Sequence, residues 1–385
     1  MRFVVFGGGG DMGRRAAEEL AITPGVELVT IVGRTRAALE RAREQALAAQ
    51  EEARARRRAG SVPRADIAVE TADAYDHDAV VGLMRRHDVA LGALGPFYIF
   101  EELMVKAAVA ARTPYVSLCD DADGLAAALQ QGDAARAAGV TVVTGLGWTP
   151  GLTNVLALQA AARLDKTTDV TIAWAGSAAE SGGHAVALHT LHIFDGHVAT
   201  FADGRPTRVR AGSGSEYVAF PPPLGRVKVC HVGHPEPLTL PEQLPGVRTV
   251  ALKGGLVEPF LHHLGVITGR LGLARTHGLR TALARVLVPL LPVLSRIGPR
   301  RPAVSGVLVR VAGEKDGRPA AMEYAATAPM RDLTSVPLAV GALWLAQGRL
   351  HRPGVWAPDA PGLIPPGEFL DELARRGVTV EEKTD

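Results

Sequence analysis

Between residues 7 and 13 the chain reads Gly7-Gly8-Gly9-Gly10-Asp11-Met12-Gly13, and an apolar run, Phe3-Val4-Val5-Phe6, leads into it. Gly8, Gly10 and Gly13 stand at the spacing G-x-G-x-x-G, ahead of a helical stretch at residues 14–20. In that arrangement the first glycine permits a tight turn, the second lets a diphosphate approach the backbone, and the third lets helix and strand pack closely. The helix amino terminus, with Asp11 and Met12 beside these glycines, adds free N–H groups and a dipole that favours negative charge. Glycine-rich turns also arise for purely conformational reasons. Here a strand precedes, a helix follows and a second β run ends at Val32, as a dinucleotide-binding β-α-β unit requires.

An enzyme that uses NAD presents Asp or Glu at the end of the second strand to hold the ribose 2′-hydroxyl. This chain has Gly33-Arg34-Thr35-Arg36 there. Small Gly33 leaves room, Arg34 and Arg36 neutralise a 2′-phosphate, and the Thr35 hydroxyl donates to it, so NADP(H) is the expected cofactor.

Other groups have the chemistry for proton transfer. His184 follows Gly182-Gly183, and His189 and His192 stand three residues apart on the helical run after it, so both can face one cleft. A structural role at a helix start is the alternative for each. No HExxH motif or nearby carboxylate completes a metal set with these three, and no metal is expected. Asp120 and Asp121 follow a strand end, where a carboxylate can reach a substrate or cap the next helix near Gly124. Lys253, beside Gly254-Gly255, and Glu258 are candidates for a charged substrate, with a simple turn as the alternative. Arg208 and Arg210 share a strand face and read either as a carboxylate fork or as a solvent-facing edge.

The elements that must position these groups change character along the chain. β-type runs at residues 2–6, 27–32, 66–70, 89–93, 115–118 and 140–143 alternate with helical patterns, the signature of a parallel sheet covered by helices. Residues 36–58 read as a long solvated helix rich in Arg, Glu and Ala. Gly147-Trp148-Thr149-Pro150-Gly151 is a dense turn signal that marks a domain boundary. Beyond it, runs at 170–174, 208–210, 226–231, 249–252 and 304–311 predict a mostly antiparallel second sheet. Residues 261–294 read as helix broken by glycines, with arginines that wander around it, a pattern assigned to packing or subunit contact, with a role at a membrane surface as the alternative. Residues 336–346 form a helix that returns to the first sheet, and 368–376 a last helix. The expected fold is α/β: a Rossmann-type domain at 1–148, an α+β substrate and dimerisation domain at 149–330, and a return to the Rossmann domain at 331–385.

At 385 residues the chain exceeds what one core usually organises. Its 42 Lys+Arg against 40 Asp+Glu leave no electrostatic footprint for nucleic acid. Two distant cysteines and an amino terminus that runs straight into a strand fit a reduced, cytoplasmic setting. The most apolar stretch, 286–294, is bounded by Arg285 and Arg296 and holds Pro289 and Pro292, so no membrane span is expected.

Gly92-Ala93-Leu94-Gly95-Pro96-Phe97, Tyr115-Val116-Ser117-Leu118-Cys119-Asp120-Asp121 and Gly145 to Gly151 together resemble the saccharopine dehydrogenase-like family. His234-Pro235-Glu236-Pro237, Leu240-Pro241 and residues 348–358 extend the resemblance over most of the chain. It implies that Gly95, Pro96 and Phe97 lie beside the nicotinamide ribose, which agrees with ligands binding at the carboxyl ends of parallel strands. Ser117 stands where many relatives carry Asp, so substrate residues do not transfer. The implied reaction is hydride transfer to or from a carbon bonded to nitrogen of an amino-acid-like small molecule, with His184, His189 and Asp120 as candidates for the proton. A homodimer through the second sheet is also implied. Two other readings stand beside it: a C=C or C=O reductase acting on a more apolar substrate, and a protein that senses NADPH without turnover.

Overall fold

The computed structural model describes residues 1–56, 65–180, 182–297 and 302–384, arranged as two compact units. The first unit takes residues 1–147 and 334–358; the second takes 148–333 and 359–385.

The first unit opens with β1 (Arg2–Phe6), α1 (Asp11–Ala21), β2 (Leu28–Gly33), α2 (Arg36–Arg56), β3 (Asp66–Thr71) and α3 (His77–Met84). It continues with β4 (Val89–Gly92), α4 (Phe97–Ala111), β5 (Tyr115–Ser117), α5 (Ala122–Leu129), α6 (Gly132–Ala138) and β6 (Thr141–Val143). The end expected for the long helix, residues 57–58, lies outside the described residues. That helix is not fully solvated: Leu39, Ala42, Ala46 and Gln50 are buried along one face, and Gln50 donates to the Ala21 and Ala65 carbonyls.

The second unit follows with α7 (Leu152–Ala161), β7 (Lys166–Gly176), α8 (His184–Ile193), β8 (His197–Ala202), β9 (Arg205–Arg210), β10 (Glu216–Phe220), β11 (Gly225–His231) and α9 (Glu236–Gln243). Then come β12 (Thr249–Leu256), α10 (Pro259–Arg270), α11 (His277–Leu294), β13 (Ser305–Lys315) and β14 (Arg318–Ala328). The chain re-enters the first unit along α12 (Met330–Ala346) and β15 (Gly354–Trp356), and closes in the second with α13 (Pro366–Arg375) and β16 (Glu381–Thr384).

The first sheet runs β15-β6-β5-β4-β1-β2-β3 with every pair parallel. Continuous apolar strands suit such a sheet, since helices cover both its faces. Strand order turns at β1, whose neighbours are β2 and β4, and ligands of open α/β sheets bind at that switch point outside the carboxyl ends. The second sheet runs β10-β11-β12-β7-β13-β14-β16, with β8 on β12 and β9 on β8. The β7–β12 pair is parallel and the others are antiparallel, which matches the expected mostly antiparallel sheet.

The tail departs from expectation. Only 334–358 return to the first unit, where β15 pairs with β6 and a Cβ at Gly341 would press on Leu146. Residues 359–385 stay with the second unit because β16 extends its sheet along β14, with Glu382 paired to Arg163. The buried Phe369 and Leu373 of α13 are the apolar face of an amphipathic helix.

Candidate functional site

A candidate nucleotide site is built by the glycine loop of the first unit. The tight turn falls on Gly7, at φ 76°, where an added Cβ would stand 2.3 Å from the Ala93 carbonyl oxygen at the exit of β4. Gly8 was expected to make that turn. It is required for a different reason: its Cβ would meet Ile31 Cγ2 at 2.5 Å and the Val5 carbonyl at 3.0 Å. Gly13 lets α1 start against the loop, since a Cβ there would lie 2.5 Å from the Gly7 oxygen. At exposed Gly10 a Cβ would meet only the Gly7 oxygen, at 3.3 Å, so the backbone faces open space.

That open backbone suits a diphosphate. Gly10 caps α1, and the first-turn N–H groups of Met12 and Gly13 have no carbonyl one turn earlier to bond. The Asp11 carboxylate is drawn to Arg14 at 3.1 Å, so Asp11 offers the loop its backbone. The Met12 carbonyl accepts a 2.8 Å hydrogen bond from buried Ser335 of α12, which fixes the loop from behind.

β2 ends at Gly33, and Arg34, Thr35 and Arg36 are exposed immediately after it. Arg36 is bound to Glu40 one helical turn on, through its Nε at 2.7 Å. The Thr35 carbonyl accepts from Ala38 and Leu39 and starts α2. Arg34 has no ion-pair partner among the described residues and is the cation available to a 2′-phosphate.

After β4 the chain passes Gly95 and Pro96 into α4. Gly95 is half-buried, while Pro96 and Phe97 are buried, so the backbone around Gly95 is the accessible part of this turn. Asp121 is sealed from solvent, and its carboxylate accepts from the Tyr98 N–H at 3.0 Å; it anchors the start of α4. Asp120 beside it is half-buried. Beneath the strand ends lies buried Glu101, which accepts from Ser117 at 2.5 Å, Thr144 at 2.7 Å and Tyr115 at 3.2 Å. Burial outweighs these donors and pushes its carboxyl up to about 7.

The second unit gathers a cluster of rings and carboxyl groups. The boundary turn delivers Trp148 and Thr149, β7 delivers Trp174, the segment after β11 delivers His234, and α9 begins at Glu236. The Trp148 and Trp174 rings meet edge-on with centroids 5.8 Å apart; His234 lies 5.6 Å from Trp174 and 5.3 Å from His189. The Trp174 indole fits because β12 carries glycine opposite it: a Cβ at Gly254 would stand 2.0 Å from the ring. Gly254-Gly255 therefore sits inside a strand and is no turn.

Glu236 is fully buried and accepts from Thr149 at 2.6 Å and Thr153 at 2.7 Å through Oε1. Its Oε2 lies 4.0 Å from His234 Nδ1. Burial, reinforced by nearby Asp359, overcomes the two threonines and raises the Glu236 carboxyl to about 7; Asp359 itself is raised to about 6, again chiefly by burial. Burial acts on His234 in the opposite sense and holds it well below the usual imidazole range, so the ring is neutral. The indole nitrogens of Trp148 and Trp174 and Glu236 Oε2 are buried with no hydrogen bond among the described residues. They are the groups a bound polar molecule would satisfy.

Of the histidines expected to act, His189 is brought to this cluster, and His192 is half-buried one turn further along α8. His184 is exposed at the first turn of α8, and no ring contact joins it to the others among the described residues. Lys253 is bound to Glu216 at 2.6 Å, and Glu258 is buried, accepting from Ser177 at 2.7 Å and Ala178 N–H at 3.0 Å. Arg208 and Arg210 are exposed and donate to the His197 and Arg270 carbonyls, as a solvent-facing edge does. His234-Pro235-Glu236-Pro237 carries the local signal of this pair, a histidine and a carboxylate two residues apart, but no local feature gives it a role.

Residues 3–143 match the family described as the saccharopine dehydrogenase NADP binding domain. Over its whole length the fold is similar to apo histidine-tagged saccharopine dehydrogenase (L-Glu forming) from Saccharomyces cerevisiae: 16% identity and a TM-score of 0.65, over 100% of this chain and 99% of that one. C. glutamicum DAP dehydrogenase in complex with DAP is 17% identical with a TM-score of 0.45, over 98% and 99%. An engineered D-amino acid dehydrogenase bound to NADP+ is 18% identical with a TM-score of 0.48, over 98% and 99%. The cofactor of the first unit is NADP.

Proposed function

We propose, from the match of residues 3–143 to the saccharopine dehydrogenase NADP binding domain, that this chain is an NADP-linked oxidoreductase that acts on a C–N bond, reducing an imine to an amine or running the reverse. NADPH supplies the hydride when bound. What the chain itself must add is binding, orientation and one proton at nitrogen.

The observation that carries this reading is the buried Glu236 carboxyl, raised to about 7 and 4.0 Å from His234. A group titrating near neutrality is matched to protonating a nitrogen and taking the proton back. Glu236, His234 and His189 stand in order of increasing exposure, from sealed carboxyl to half-buried ring. In this reading His189 meets the substrate and Glu236 holds the proton behind it. The test is turnover of NADPH against amine and keto-acid pairs and cyclic imines. Oxidation of NADPH with an imine supports the reading, and binding of NADPH without turnover on any of the panel counts against it.

One observation favours a second reading, reduction of a C=C or C=O bond in a more apolar substrate. Trp148 and Trp174 dominate the ring cluster, and Arg208 and Arg210, the candidate carboxylate readers, are engaged at an exposed edge. With enals and ketones added to that panel, turnover confined to them would select it.

A further inference from the structure

The helices α10 and α11 carry an apolar surface that the rest of the unit does not cover. One face of α11 packs on α8: Ala284, Leu283, Leu287 and Val288 meet Leu188 and Leu191. On the face turned away, Leu279, Val286, Leu290 and Val293 are 45–62% exposed. Their steps of 7, 4 and 3 residues keep all four on one side of a helix with 3.6 residues per turn. Ile297, just past the end of α11, is 44% exposed. Leu271, between the helices, is 68% exposed. The charge of this surface has one sign: from residue 259 to residue 297 there is no Asp or Glu, and there are five arginines. Arg280 is buried, its Nε donating to the Ala274 carbonyl, while Arg270, Arg275, Arg285 and Arg296 are exposed.

We propose that this surface seats the protein on an anionic lipid bilayer, with the apolar row of α11 in the interface and the exposed arginines among the headgroups. A surface helix with an apolar row and basic flanks binds in this way, the buried apolar area and the attraction to anionic lipid adding together. By composition α11 is apolar enough to span, with a mean hydropathy of 1.2 over 18 residues. At 1.5 Å per residue its length is about 27 Å against a hydrocarbon core of about 30 Å, and it carries Arg280 and Arg285 along with a face committed to α8. It therefore lies on the membrane. A second copy of the same surface is the poorer occupant. A two-fold contact would set arginines against arginines, with no carboxylate in the segment to separate them. The inference does not rest on the reaction proposed above.

The test is flotation of the purified full-length chain with vesicles of phosphatidylcholine alone or mixed with phosphatidylglycerol, with NADPH titration confirming that each variant is folded. The expected result is flotation with the anionic vesicles, release by alkaline carbonate, and binding about tenfold weaker for Arg285→Glu with Arg296→Glu. Val286→Glu with Leu290→Glu is expected to abolish flotation while NADPH affinity is kept. Three results would overturn the proposal: no flotation of the unmodified chain, retention in the membrane after carbonate, or a dimer in light scattering that the Val286 and Leu290 changes dissociate while vesicles are ignored.

Discussion

His234 Nδ1 stands 4.0 Å from Glu236 Oε2, with both side chains sealed from solvent. The same burial acts on them in opposite senses, raising the carboxyl to about 7 and lowering the imidazole, so the pair holds its proton on the carboxyl. Glu236→Gln keeps an oxygen for the Thr149 and Thr153 hydroxyls but removes the titrating proton. It is expected to lower kcat/KM about 100-fold and to remove the inflection near pH 7 from the kcat/KM profile, with NADPH affinity retained. A profile that keeps its inflection would take the proton away from Glu236.

On α8, His184 and His189 separate cleanly. His189 packs against the His234 ring at 5.3 Å, whereas His184 is exposed at the helix start. His189→Ala is expected to lower kcat, and His184→Ala to leave it within about twofold, because isolated surface changes rarely matter. Steady-state kinetics on the two variants decide this, and an equal loss in both would contradict the placement of the proton path.

At the nucleotide end, Arg34 is available and Arg36 is engaged by Glu40. Arg34→Ala is expected to weaken NADPH binding by about 1–3 kcal/mol, the range for a charge-assisted contact, and Arg36→Ala by less. NADH binding should change in neither. Titration of both cofactors checks this, and parallel losses for NADPH and NADH on Arg34→Ala would remove the 2′-phosphate from Arg34.

Gly8 and Gly10 serve different ends and should fail differently. A Cβ at Gly8 drives into Ile31 at 2.5 Å, so Gly8→Ala is expected to destabilise the first unit by about 1–3 kcal/mol, the usual cost of overpacking. A Cβ at Gly10 meets only the Gly7 oxygen at 3.3 Å, so Gly10→Ala should fold and lose NADPH affinity. Thermal melts without nucleotide and NADPH titrations of the two variants distinguish the effects.

Much of this was legible because the relevant signals are local. The glycine spacing, Gly33-Arg34-Thr35-Arg36 and the turn at Gly147 to Gly151 lie on short stretches whose geometry their own residues decide. β8 and β14 were missed, although Asp203-Gly204 and Asp316-Gly317, both residues of each pair at positive φ, carry the hairpin signal that would have shown them. The cluster around Glu236 was not legible. Its members come from the boundary turn, β7, α8 and the loop before α9, and only the second sheet brings them together. The turn role first given to Gly8 failed for the same reason, since its constraint comes from Ile31 on the neighbouring strand.

Glu101 offers a test of the fold of the first unit without any ligand. Its carboxyl is raised from the ordinary value of 4.5 to about 7, so the folded chain holds a proton that the unfolded chain has already released. Stability falls as pH rises wherever the native state binds the extra proton, so this group's cost builds between about pH 4.5 and pH 7 and is fully present above that window. A glutamine there mimics the protonated carboxyl: its oxygen still accepts from the hydroxyls of Ser117 and Thr144, and its amide N–H faces the Tyr115 oxygen as a donor. Glu101→Gln is therefore expected to raise the Tm at pH 8 relative to the parent and to change it little at pH 5. Calorimetry of both proteins at the two pH values measures the difference. An equal shift at pH 5 and pH 8 would mean that the carboxyl is not protonated in the folded chain.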